Sequence, residues 1–107
     1  MFIQINTDNQ IPADSERDAR IEEQVRQRLA RFESRLTHFE AHVSDVNGPR
    51  GGNADLRCSV EARANGLDPV AAHDNAGDVE RAVLGATKKV VAVLDRQLGK
   101  LTDRKGH

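Results

Sequence analysis

The chain has 107 residues, a length that fits one domain able to bury roughly two thirds of its unfolded surface. Its 16 Lys and Arg residues are balanced by 17 Asp and Glu residues, so the formal net charge is -1 and the isoelectric point is near 6.4. The sequence has no run of 18 apolar residues, which excludes a membrane-spanning helix. Its single cysteine excludes an intramolecular disulfide. We therefore expect a single soluble, cytosolic domain over residues 1–107, with its core in residues 1–101 and a flexible tail at 102–107.

The first two predicted elements are a short strand and a long helix. Residues 1–5 alternate in polarity and lead into the polar stretch 6–10, which predicts a strand followed by a loop. Apolar residues then recur at helical spacing from Ile21 to Leu36, behind Ser15 as a candidate N-cap. This pattern predicts a helix that ends at about Leu36.

Arginines follow one another at helical spacing along this helix and form a stripe roughly 80° wide. They are Arg17, Arg20, Arg28, Arg31 and Arg35. Planar, permanently charged guanidinium groups sorted onto one flank suit phosphate, which indicates a surface for a polyanion. The alternative is a solvated flank whose arginines pair with acids of neighbouring elements.

Three strands and a second helix follow. The strands are predicted at residues 38–45, 56–63 and 70–73. A glycine-rich loop at residues 47–53 and a turn at Asn65-Gly66 separate them. Apolar residues from Val79 onwards predict an amphipathic helix over residues 75–101, with Asp74 as its N-cap.

A band of cations about 120° wide lies away from the apolar stripe of the last helix. Its members are Arg81, Lys88, Lys89, Arg96 and Lys100. Local charge therefore departs from the neutral total, because residues 24–36 hold four arginines and one glutamate. The alternative for Lys88, Lys89 and Lys100 is that they only complement the dipole at the end of the helix.

The element order predicts an α/β (α+β) two-layer sandwich, β-α-β-β-β-α, with a four-stranded sheet and both helices on one face. The second set of strand side chains is polar and can face water. If the helices lie side by side, their basic flanks border a common groove, although spacing does not decide which flanks meet.

Three segments resemble the ribosome hibernation-promoting factor and ribosome-associated inhibitor family. They are HVSDVNGPRGG at residues 42–52, DLRCSVEAR at 55–63 and LDRQLGKL at 94–101. The resemblance implies a fold like that of double-stranded-RNA-binding domains. It also implies a stress-induced role on the small ribosomal subunit, where members occupy the mRNA and tRNA channel and inhibit translation.

The same resemblance places rRNA-facing cations along the two helices. The phosphate-binding candidates are Arg20, Arg28, Arg31, Arg35, Arg81, Lys88, Lys89, Arg96 and Lys100, with Arg50 as a further loop contact. The partner implied is 16S rRNA of the small subunit, bound by a monomer. One departure from the family is Val79-Glu80, where many members carry an aromatic residue.

The rival hypothesis is a protein-interaction module of the same fold, whose basic flanks dock an acidic protein or a second copy. A metal site at His38, His42 and His73 is a weak signal, because His38 and His42 share one strand and His73 comes from another. Cys58 lies among apolar positions and is interpreted as a core residue. We therefore expect no enzymatic activity, cofactor, metal, membrane or small-molecule substrate.

Overall fold

The computed structural model describes residues 1–46 and 55–106, with side chains up to residue 98. Its elements are β1 (Phe2–Thr7), α1 (Ser15–Arg28), a 3-10 turn (Ala30–Phe32), β2 (Leu36–Asp45), β3 (Leu56–Ala64), β4 (Val70–Ala76) and α2 (Val79–Gly106). The predicted order of strands and helices is confirmed.

The four strands form one mixed sheet in the order β1-β2-β3-β4. β1 runs parallel to β2, because α1 carries the chain across between them, while β2, β3 and β4 are antiparallel neighbours. The register places Val43 opposite Cys58 and Val60 opposite Ala72. Apolar side chains of adjacent strands therefore share one face.

The core lies between that face and the two helices. Phe39, Ala41 and Cys58 are fully buried from the sheet side, and Val25 and Val90 are fully buried from the helix side. Polar side chains occupy the other face of the sheet and are exposed; they include Gln4, His42, Arg57, Ser59, Glu61, Arg63 and His73. The predicted two-layer sandwich with both helices on one face is confirmed.

Helix α1 ends at Arg28, so its predicted continuation to Leu36 is wrong. The amide of Phe32 bonds to the carbonyl of Leu29, three residues back, which tightens the chain into the 3-10 turn. Leu36 instead opens β2 and pairs with Ala64. The turn and the strand still bury Leu29, Phe32 and Leu36, the residues whose spacing predicted helix.

The arginine stripe is consequently interrupted. Arg31 lies in the 3-10 turn and Arg35 in the segment before β2, beyond the end of α1. The predicted N-cap is also wrong by one residue, because Asp14 Oδ1 accepts the hydrogen bond of the Arg17 amide at 3.0 Å.

Helix α2 begins at Val79, four residues later than predicted. Asp78 Oδ1 accepts the Arg81 amide at 2.8 Å and acts as the cap. Asp74 was predicted in that role but lies within β4, opposite Cys58. The backbone of α2 continues to Gly106, past the predicted end at residue 101.

Gly85 allows α2 to approach β4 closely. A Cβ placed at Gly85 would lie 2.8 Å from Asp74 Cγ, inside van der Waals contact. Asp74 is in turn held by Lys89, whose Nζ lies 3.3 Å from Asp74 Oδ1. Glycine at this position lowers helix propensity by about 1 kcal/mol relative to alanine, but it allows the close contact between α2 and β4.

Gly85→Ala is expected to lower the free energy of unfolding by about 1–3 kcal/mol, because overpacking against Asp74 outweighs the gain in helix propensity. In an Asp74→Ala background the same change is expected to be neutral or stabilising by up to about 1 kcal/mol. Urea unfolding of the four proteins of this double-mutant cycle measures both effects. Stabilisation by Gly85→Ala in both backgrounds would contradict the close approach.

Candidate nucleic-acid interface

Ion pairs join the two helical segments where they lie side by side. Arg20 Nε lies 3.3 Å from Glu80 Oε1, and Gln24 Nε2 donates to the same oxygen at 2.7 Å. Farther along, Arg31 reaches from the 3-10 turn to Asp95, with 2.6 Å between its guanidinium nitrogen and Asp95 Oδ2. We call the line marked by these five residues the helix seam. Its two ends on α2, 15 residues apart, are separated by about 22 Å.

Three exposed cations lie on the helix layer, one of them away from the helix seam. Arg28 follows Gln24 by four residues and continues the flank of α1 that faces α2. Lys88 precedes Asp95 by two helical turns, so it lies beside the helix seam. Arg96 follows Lys89 by two turns, so it lies on the outer flank of α2 away from the helix seam. None of the three makes a hydrogen bond or an ion pair with any residue that the structure describes. They are therefore available to an external anion.

Arg20 and Arg31, two of the predicted phosphate contacts, are paired with acids of α2, as the solvated-flank alternative proposed. Glu80 and Asp95 were missed as their partners, because the pairing depends on which helix flanks meet. The Arg31–Asp95 pair is open to water, with 59% of the Arg31 side chain and 45% of the Asp95 side chain exposed. Exposed pairs of this kind contribute only about 0–1 kcal/mol, so a competing anion can replace them.

The other predicted cations differ in their surroundings. Arg81 is exposed in the first turn of α2, 3.9 Å from Asp78. Lys89 donates to the carbonyl oxygen of His73 at 2.8 Å and so lies against the edge of β4, away from the helix seam. Arg35 is half-buried, and its Nε has no hydrogen-bond partner among the described residues. Arg50 and the side chain of Lys100 lie outside the described residues.

The arrangement can bind phosphates of a rigid polyanion through several cations at once. Arg31 is held ready for this, because its Cζ lies 4.7 Å from the centroid of the Phe32 ring, which supports the guanidinium plane. Helix flanks of this kind recognise the spacing of phosphates on folded RNA and read little of the base sequence.

The comparisons with known proteins identify the family of the chain. The model of the sigma 54 modulation protein / S30EA ribosomal protein family matches residues 9–105. The chain belongs to this family. The match includes both helices and the whole helix seam, and it confirms the resemblance to hibernation-promoting factors. No curated protein sequence matches the chain.

Solved structures share the fold of this family member. The crystal structure of the Thermus thermophilus Protein Y N-terminal domain superposes with a TM-score of 0.67 at 18% identity, covering 90% of this chain and 98% of that one. A ribosomal subunit interface protein from Coxiella burnetii gives a TM-score of 0.65 at 13% identity, covering 92% and 99%. At these identities the likeness supports the fold.

The open face of the sheet offers no metal site within the described part of the chain. His38, His42 and His73 are exposed there, and no group of three or more potential ligands comes together. His42 Nε2 instead contacts Glu40 Oε1 at 2.6 Å. Among the described helices, neither is long and apolar enough to span a membrane.

Cys58 is fully buried in the core, as the alternation of β3 predicts. Desolvation by burial, with a smaller contribution from the Asp74 charge, raises the pKa of its thiol to about 12. The thiol of this family member therefore stays protonated at neutral pH, which is the opposite of what a nucleophile needs.

Alkylation of Cys58 by N-ethylmaleimide at pH 8 is expected to be about a thousandfold slower in the folded protein than in urea. Burial shields the sulfur, and at a pKa of about 12 instead of 9.0 the thiolate fraction falls by about that factor. A pH series distinguishes the states, since the unfolded rate is half-maximal near pH 9 and levels off above about pH 10, while the folded rate keeps rising. A folded rate that levels off over the same pH range as the unfolded rate would contradict the raised pKa.

Proposed function

We propose that this protein is a hibernation factor that binds 16S rRNA of the small ribosomal subunit and inhibits translation by occluding the mRNA and tRNA channel. The observation that carries the proposal is the set of exposed cations Arg28, Lys88 and Arg96 on the helix layer, which pair with no described residue and lie within the match to the ribosomal family model. The monomer acts in the cytoplasm, where ribosomes are.

Binding requires no covalent step. Each cation that contacts a phosphate releases a condensed counterion, so the affinity falls with salt in proportion to the number of contacts. Three contacts correspond to a loss of about 40-fold between 50 and 200 mM salt, and eight contacts to about four powers of ten. The salt dependence therefore counts the cations that the interface engages.

Inhibition follows from occupancy. A rigid two-layer domain seated on rRNA in the channel excludes mRNA and tRNA by volume, without a change in its own fold. The helix layer faces the RNA in this arrangement, and the open sheet face points away. Phe2 and Val46 are the exposed large apolar side chains among the described residues, so an aromatic stacking platform for unpaired bases is lacking there.

The double variant Lys88→Glu/Arg96→Glu is expected to reduce binding to purified small subunits at least tenfold, because it removes two phosphate contacts and adds repulsion. The matched control is Arg57→Glu/Arg63→Glu, which changes the net charge equally but lies on the open sheet face. Lys89 is left intact because it supports the β4 edge. Co-sedimentation at about 50 and 300 mM salt measures binding, and circular dichroism verifies folding.

Salt-sensitive pelleting of the wild type and of the sheet-face control, lost in the helix-face variant, supports the proposal. Loss in the sheet-face variant alone would move the interface to the open face of the sheet. No pelleting of the wild type at low salt would reject ribosome binding and favour the protein-interaction hypothesis. A protein complex held through apolar contacts would also survive excess rRNA.

Occlusion has a separate test. Saturating protein is expected to prevent labelled mRNA and initiator tRNA from binding to purified small subunits, with a stoichiometry near one to one. Filter retention measures both ligands, and the Lys88→Glu/Arg96→Glu variant provides the control. Simultaneous binding of mRNA, tRNA and protein would show that the site lies outside the channel.

A further inference from the structure

We propose that Glu80 and Asp95 set the affinity of the interface by occupying the phosphate-binding positions of Arg20 and Arg31 in the free protein. Bound RNA would have to displace both carboxylates. This inference rests on the proposed function, since it concerns the same surface, and it assigns an opposing role to acids that lie within that surface.

The Arg31–Asp95 contact has the geometry of the arginine–phosphate contact that would replace it. Asp95 Oδ2 lies 2.6 Å from the guanidinium nitrogen, the short distance of a charge-assisted hydrogen bond, and a phosphate oxygen would take the same place. Phe32 supports the guanidinium group, so the group can exchange one oxygen ligand for another without a large movement.

Glu80 acts in the same way at the other end of the helix seam. Its Oε1 accepts from Arg20 and from Gln24, so both donors are satisfied in the free protein. Glu80 and Asp95 are the two acids in the part of α2 whose side chains are described, and each pairs with an arginine from across the helix seam.

At Arg20 and Arg31, RNA binding only replaces a carboxylate contact with a phosphate contact. At Arg28, Lys88 and Arg96 it adds new phosphate contacts. Each displaced carboxylate also stays near the incoming phosphate and repels it. Only an RNA surface that engages the three free cations together can compensate for this, so isolated phosphates and sparsely charged ligands are disfavoured. The acids thereby exchange affinity for selectivity toward dense, rigid phosphate arrays.

Asp95→Asn and Glu80→Gln test the role, because each keeps the side-chain shape and removes the charge. The matched control is Glu61→Gln, which loses an equal charge from the Glu61–Arg63 pair, 2.9 Å apart, on the open sheet face. We expect each seam variant to bind small subunits about three- to tenfold more tightly. The slope of log affinity against log salt should stay close to that of the wild type, because RNA contacts the same arginines in both proteins, and Glu61→Gln should match the wild type in affinity as well.

Elution from immobilised heparin tests the same variants without a ribosome. Later elution of Asp95→Asn and Glu80→Gln than of Glu61→Gln supports the role of the acids. Co-elution of all three variants overturns it, as does weaker binding by Asp95→Asn, which would make Asp95 a residue that positions Arg31. If the heparin shifts appear but the wild type does not pellet with subunits, the acids act as proposed and the ribosome assignment fails.

Discussion

One-sided burial of the sheet determines the rest of the molecule. Apolar side chains occupy one face of the sheet, so both helices must cover that face and lie beside each other. Their flanks then meet along a line that neither helix specifies alone. The contacts Arg20–Glu80 and Arg31–Asp95 are consequences of that packing, and so is the need for a glycine where α2 crosses β4.

Elements whose polarity pattern fits only one secondary structure were predictable from the sequence. Elements whose pattern fits two were not. The alternation of β3 fits only a half-buried strand, and Gly66, at a φ of 79°, has the left-handed conformation that the Asn65-Gly66 turn requires. The spacing from Leu29 to Leu36 fits a helix and also a 3-10 turn followed by a strand. A tertiary contact decides between them, because the carbonyl of Arg35 accepts the amide of Asn65 from the β3–β4 turn.

The sequence predicted which cations belong to the candidate site. It did not predict which acids pair with them. Helical spacing brings Lys88 and Arg96 to the outer surface of α2 correctly, since it depends only on that helix. Pairing with acids depends on how the two helices pack against each other, and the spacing of residues along one helix gives no information about that. The near-neutral composition, which argues against a polyanion site, reflects in part acids that lie inside the basic surface and partner its arginines.

The position of Lys89 affects how the protein associates with itself at high concentration. β4 is an edge strand, and an unpaired edge offers backbone carbonyls to which the strand of another molecule can add. The Lys89 ammonium group occupies the carbonyl of His73 and places a charge at the middle of that edge. This lysine therefore opposes the edge-to-edge polymerisation that a high protein concentration would otherwise favour.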